Sequence, residues 1–215
     1  YVLLGKGEFV QQLIETLTPH LSSAASMLHR HQTLALLETA VRACVPPEMG
    51  GGIGGAGVRG PVEHVDFVLE HLDVSLLPHQ SATGWDAFSL DYRAEMPVAA
   101  IINPAILLDY RRIFHLLWRL KRAEHLLSGV FTKQTAAARM LGSVDPLLHS
   151  SCCLRNELMH LVTNLQYYLK FEVVECSWDK FSTQLDEATD LDGLIAAHTA
   201  FVSSVVSKAL LEPSM

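Results

Sequence analysis

Residues 103–127 read NPAILLDYRRIFHLLWRLKRAEHLL, and this stretch decides the fold. Asn103 is a helix cap and Pro104 suits the first helical position, where its missing N–H removes nothing. Leu107, Tyr110, Ile113/Phe114 and Leu117/Trp118 then recur at the 3–4 residue interval of one helical face. The spacing predicts the longest helix of the chain, running to about Leu127, with Gly129 as its stop. Trp118, on the apolar stripe, is expected in the core. The other face is basic: Arg111, Arg112, Arg119, Lys121 and Arg122 fall within twelve residues, with no acid between Arg111 and Arg122.

Helical periodicity dominates on either side. Phe131–Leu141 reads as a helical turn or a loop. Asp145-Pro146 opens a further helix whose apolar face is Leu147, Leu154, Leu158, Leu161, Val162 and Leu165, reaching Tyr168 or beyond. Trp178, Phe181 and Leu185 mark a shorter helix; Leu191, Leu194, Ile195, Phe201, Val202 and Val205 mark the last. Upstream, Phe9, Leu13, Ile14 and Leu17 form one stripe that Pro19 closes. A second helix starts near Ser22 and carries Leu34, Leu37, Ala40 and Val41. A short helix covers Val65–Leu72, and Leu72, Val74, Leu76 and Leu77 continue as extended chain. Phe88, Leu90 and Tyr92 alternate with polar residues, as a strand does. Val98–Ile102 reads as its hairpin partner, with Arg93–Pro97 as the turn. The expected fold is all-α, a helical bundle with one small β-hairpin.

The segment at about 46–61 differs in kind. Seven of the chain's 13 glycines fall within eleven residues, Gly50 to Gly60. A phosphate-binding loop would need a Lys followed by Ser or Thr after its last glycine, and these are missing. The segment reads as a flexible insertion.

Composition narrows the function. Apolar residues make up 49% of 215 and charged residues 18%, which excludes a disordered chain. The net charge of −7 argues against nucleic acid and anionic membrane as partners. No apolar run approaches the ~20 residues of a membrane helix. Tyr1 opens no signal sequence, and the chain reads as a piece of a larger soluble protein. Four cysteines without a C-x-x-C pair suit buried thiols in a reducing, intracellular compartment. Eleven histidines include no His pair at metal-ligand spacing and no H-E-x-x-H. His149 and Cys153 lie one helical turn apart, but a nucleophile there would lack an orienting group and an oxyanion site. The residues therefore predict no enzyme, no metal and no cofactor. Two features invite a partner protein. The basic run could dock an acidic surface or pair internally. The aromatic segment Gly84–Tyr92, with Trp85, Phe88 and Tyr92, could be core or contact surface.

Five segments carry a resemblance. Leu3-Leu4-Gly5-Lys6-Gly7-Glu8-Phe9 is similar to L-L-G-x-G-[DE]-F. Thr83–Tyr92 is similar to T-G-W-D-x-F-S-L-D-Y. Tyr110–Arg122 is similar to Y-x-x-x-F…L-W-R-x-K-R. Gln166–Asp179 is similar to Q-Y-Y-x-x-F-E-V-x-E-C-S-W, and Asp190–His198 to D-L-D-x-[IL]-I-x-A-H. Together, in this order, they resemble the gamma-tubulin complex component family, and the E-C-S-W form resembles component 3 more than component 2. The Gly-rich segment departs from that pattern.

The resemblance implies that 1–215 is a gamma-tubulin-binding C-terminal domain, incomplete at its own C-terminal end. It implies a scaffold that joins other gamma-tubulin complex components, chiefly through an N-terminal half, and templates microtubule nucleation at a cytoplasmic microtubule-organising centre. The competing reading is a generic helical adaptor. Candidate gamma-tubulin contacts are Gly5, Glu8 and Phe9 of the first motif, Trp85, Phe88 and Tyr92 of the second, and Arg111, Arg112, Arg119 and Arg122 of the basic helix.

Overall fold

The computed structural model describes residues 1–44, 61–76, 83–141 and 146–211. It is helical with one two-stranded hairpin, the expected class. The insertion expected at about 46–61 lies outside the described residues, apart from Pro61, which opens a helix. The chain divides into two compact units, Tyr1–His115 and Leu116–Met215.

In the first unit, α1 (Gly7–Leu21) packs on α2 (Arg30–Ala43). Phe9, Leu13, Leu17 and Leu21 of α1 and Leu37, Ala40 and Val41 of α2 are buried. Pro19 sits inside the last turn of α1 and does not end it. A 3₁₀ turn at Ala25–Met27 precedes α2, so the second helix starts later than Ser22. The stripe of α2 is shifted: Thr33 is buried and Leu34 is exposed.

The next helix, α3 (Pro61–His71), leads directly into β1 (Leu72–Leu76). A single turn, α4 (Gly84–Ala87), leads into β2 (Phe88–Tyr92). The strands pair antiparallel, with Leu72 opposite Tyr92, Val74 opposite Leu90 and Leu76 opposite Phe88. This corrects the expected hairpin. Val98–Ala100 is a 3₁₀ turn, and the partner of β2 is the upstream extended chain. The pairing buries Val74 and Leu90 on one face, whereas Val98 stays exposed. Arg30 anchors the hairpin to α2: its Nη2 donates to both Asp73 oxygens at 2.7 Å and its Nε to the Val74 carbonyl at 3.0 Å. Arg93 adds a donor to Asp73 at 3.0 Å. Burial pushes the Asp73 carboxyl up, but the Val74 N–H and the two guanidiniums outweigh it and hold it below the usual range.

Helix α5 (Pro104–Leu141) passes from the first unit into the second and is longer than expected. The Asn103 side chain caps it, accepting from Ile106 N–H at 3.0 Å. Gly129 does not stop it, because the residues beyond, Lys133 through Met140, are nearly all strong helix formers. Trp118 is buried, as its stripe predicts.

In the second unit α6 (Pro146–Tyr168) continues through a π-helical stretch, Leu169–Glu175, into α7 (Cys176–Glu187), which packs on α8 (Leu191–Lys208). Phe181, Phe201, Val202 and Val205 are buried there. Asp190 caps α8 by accepting from Gly193 N–H at 2.9 Å. One expectation fails plainly: no residue of α6 is buried, and Leu147, Leu154, Leu158, Leu161 and Leu165 are all exposed. The helix meets α5 instead through polar groups. Gln134 donates to Ser151 at 2.7 Å and accepts from Arg155 at 2.8 Å, and Gln166 donates to Glu124 at 3.0 Å. Trp178 and Leu185 of α7 also stay exposed.

Candidate partner-binding surfaces

The motif at the start of the chain separates into a buried and an exposed half. Phe9 is fully buried and meets the Tyr1 ring edge-on at 4.8 Å. Gly5 and Glu8 are exposed, and Glu8 lies in the first turn of α1, where the helix dipole favours an anion. A Cβ added at Gly5 or at Gly7 would meet nothing within 4 Å, and neither glycine has a left-handed φ. The residue that does is Leu4, at φ 51°. Neither a left-handed φ nor a described neighbour within 4 Å requires these two glycines.

Gly84 is the opposite case. A Cβ there would lie 2.7 Å from Leu28 Cδ1 and 2.9 Å from the backbone of Leu21. Its N–H donates to Ser23 O at 3.0 Å, so the second motif passes directly over the end of α1. Trp85 and Phe88 are buried as a result, and Phe88 meets Phe114 edge-on at 6.0 Å. Tyr92 is half-buried and stacks on His71 at 5.9 Å. Of the three aromatic candidates, only Tyr92 offers surface.

The basic run is largely engaged within the chain. Arg111 forks onto Asp91 of β2, Nε to Oδ1 at 3.0 Å and Nη2 to Oδ2 at 2.9 Å. This bidentate pair ties two of the motifs together. Arg112 reaches Asp109 at 3.1 Å and Lys121 reaches Glu124 at 2.9 Å. Arg122 is half-buried. Arg119 is exposed and forms no ion pair with a described residue. The acids lie outside the Arg111–Arg122 window: Asp91 is brought in from β2 by folding, whereas Asp109 and Glu124 sit one turn away on α5, at the i,i+3 spacing of helical ion pairs.

The later motifs explain packing as well. Ser177, of the E-C-S-W stretch, is buried and accepts from Lys208 Nζ at 3.2 Å. His198 is buried beside Phe181 and Phe201, and that burial lowers its pKa. Trp178 of the same stretch and Tyr167 are exposed aromatics. The sequence signal for Trp178 pointed inward, because it shares a stripe with Phe181.

The cysteines divide too. Cys44 is buried, and burial pushes its thiol up. Cys153 and Cys176 are exposed, correcting the expectation of uniform burial. Cys153 Sγ lies 3.7 Å from His149 Nε2 on the open face of α6. Among the described residues no group of three or more His, Cys, Asp or Glu side chains is placed to hold a metal. No helix among them is long and apolar enough to cross a membrane. A cavity of about 450 Å³ between α2 and α3 has a leucine floor, with Arg42 bridging Glu38 and Asp66 at its rim.

The whole chain, residues 1–215, matches the family described as Gamma tubulin complex component C-terminal. The chain belongs to this family. It is 37% identical over 216 residues to the gamma-tubulin complex component 3 homolog of Xenopus laevis, covering 99% of this chain and 22% of that protein. It is 35% identical over 218 residues to the spindle pole body component 98 of Dictyostelium discoideum, covering 100% of this chain and 25% of that one. Similarity to the gamma-tubulin complex component 2 of Mus musculus is lower, 31% over 144 residues, covering 66% of this chain and 16% of the relative. Likeness to component 3 is what the E-C-S-W stretch implied. The chain spans about a quarter or less of the length of these relatives. The family is one of structural complex components, which fits a domain built from packing motifs.

Proposed function

We propose that this chain binds gamma-tubulin and serves as a scaffold subunit of a gamma-tubulin complex, at a microtubule-organising centre such as a spindle pole. The observation that carries the reading is the end-to-end match of all 215 residues to the component family, with component 3 proteins at 35–37% identity across the chain. Association with component 2 and related subunits belongs to the same proposal.

The surface we assign to gamma-tubulin is the first turn of α1. Gly5 and Gly7 leave room for a Cβ that no described residue approaches within 4 Å, and Glu8 adds a charge. Close backbone approach by a partner gives a reason for two glycines that folding does not require. Arg119 is the exposed cation of the basic stretch and suits the rim of an acidic partner. The mechanism is positional. Several gamma-tubulins held side by side turn a slow many-body encounter into addition onto a preformed row. Nucleotide chemistry stays with the tubulin.

The test is direct binding of the purified chain to purified gamma-tubulin, by sedimentation or surface capture, at two salt concentrations. Saturable binding that weakens modestly with salt is expected. A folded chain that shows no saturable binding contradicts the reading and leaves a helical adaptor without tubulin affinity.

A further inference from the structure

Helix α6 carries a leucine row, Leu154 to Leu165, that the described residues leave largely open to solvent. Leu154, Leu158, Leu161 and Leu165 are 39–62% exposed, and Tyr168 ends the row. From Leu154 onward the intervals are 4, 3, 4 and 3 residues. That is the repeat of a coiled-coil seam, in which side chains of one helix enter the spaces of another. A patch of this kind on a water-facing helix marks an interface. Its required partner is a helix with the same spacing and no charge in its seam.

We infer that the α6 leucine row pairs antiparallel with the same row of a second copy of this chain. Charge and register select this occupant and this orientation. With the symmetry axis between Leu158 and Leu161, Leu154 meets Leu165 of the second copy and Leu158 meets Leu161, so every central layer is leucine on leucine. Glu157, beside the seam, then faces Asn164. The neighbouring antiparallel register would set Glu157 against Glu157, a like-charge contact. Burying both rows with their flanks removes on the order of 1,200 Å² from water, the lower edge of a stable interface. The pairing is weak and concentration-dependent, and insensitive to salt because the seam is apolar.

Two measurements on the 215-residue chain, without gamma-tubulin, test this. Sedimentation equilibrium at high micromolar concentration should give twice the 23.7 kDa monomer mass. Leu158→Glu with Leu161→Glu should weaken association at least about tenfold and leave the circular dichroism unchanged, since both side chains already face water. The second measurement fixes the register in a background with Cys152, Cys153 and Cys176 replaced by serine. Leu154→Cys mixed with Leu165→Cys should cross-link on mild oxidation. Leu154→Cys alone should not, because its own copies lie about 16 Å apart along the axis. A wild-type chain that stays monomeric overturns the proposal and assigns the row to another helix. So does a dimer indifferent to the double substitution, or faster cross-linking of Leu154→Cys with itself.

Discussion

The two units solve the same problem to different extents. In Tyr1–His115, α1, α2 and the hairpin enclose Phe9, Leu13, Leu17, Leu37, Val74, Phe88 and Leu90, and the exposed large apolar side chains (Met27, Leu34, Phe67, Met96, Val98 and Leu108) are scattered. In Leu116–Met215, α7 and α8 enclose Phe181, Phe201 and Val205, yet α6 buries nothing and lines its leucines up toward solvent. Both units contain amphipathic helices of ordinary pattern. An apolar stripe shows that a helix face is to be covered; it does not say whether the cover lies in the same chain. Among the described residues the first unit closes its core, and the second leaves one face of α6 open.

The largest expected effect tests that contrast. Phe88→Ala removes a fully buried ring from the first unit and should cost ~3–5 kcal/mol. Leu154→Ala, on the α6 row, should stay within about 0.5 kcal/mol in the monomer. Chemical denaturation of the two variants reads both. A costly Leu154→Ala at low protein concentration would show that α6 is covered within the chain.

Next in size is Gly84→Ala, which forces a methyl against Leu28 and the Leu21 backbone and should cost about 1–3 kcal/mol. Gly129→Ala, with open space around it on α5, should be neutral or slightly stabilising. Equal melting temperatures for both variants would refute the close approach of the second motif to α1.

The smallest effects distinguish the units by pH. His198 has its pKa lowered by burial, so the unfolded chain takes up the proton first. Its contribution is complete above the unfolded value of about 6.5 and is lost as the pH falls through the folded one. Asp73 in the first unit follows the same sign at lower pH. Its stabilisation is present above the unfolded carboxylate value, about 3.9, and disappears as the pH falls through the depressed folded value. His198→Gln should flatten the loss of melting temperature between about pH 7 and 5, whereas Asp73→Asn should change only the more acid limb. An unaltered pH 7-to-5 slope in His198→Gln would remove His198 as its source.

Much of this was legible beforehand, and the misses share a cause. Helix identity followed from periodicity for α1, α2, α5, α6 and α8, and Trp118 from its place on a stripe. The hairpin partner was misjudged because alternating Leu72–Leu76 and apolar Val98–Ile102 both have strand character, and only tertiary burial separates them. Gly129 looked like a stop because a glycine's meaning depends on its surroundings, and here it has none. The basic run looked like a free face because Asp91, twenty residues upstream, is brought beside Arg111 only by folding. Gly5 and Gly7 were readable as motif members; that no described residue crowds a Cβ at either became visible only with their neighbours placed.

The central claim is that the open first turn of α1 meets gamma-tubulin. The most direct test is to measure the melting temperature and the gamma-tubulin affinity of Gly5→Trp side by side with wild type. A Cβ at Gly5 meets no described residue within 4 Å, so melting should be unchanged while affinity falls at least about tenfold, roughly 1.4 kcal/mol. A Gly5→Trp chain that melts normally and binds gamma-tubulin as tightly as wild type would contradict the assignment.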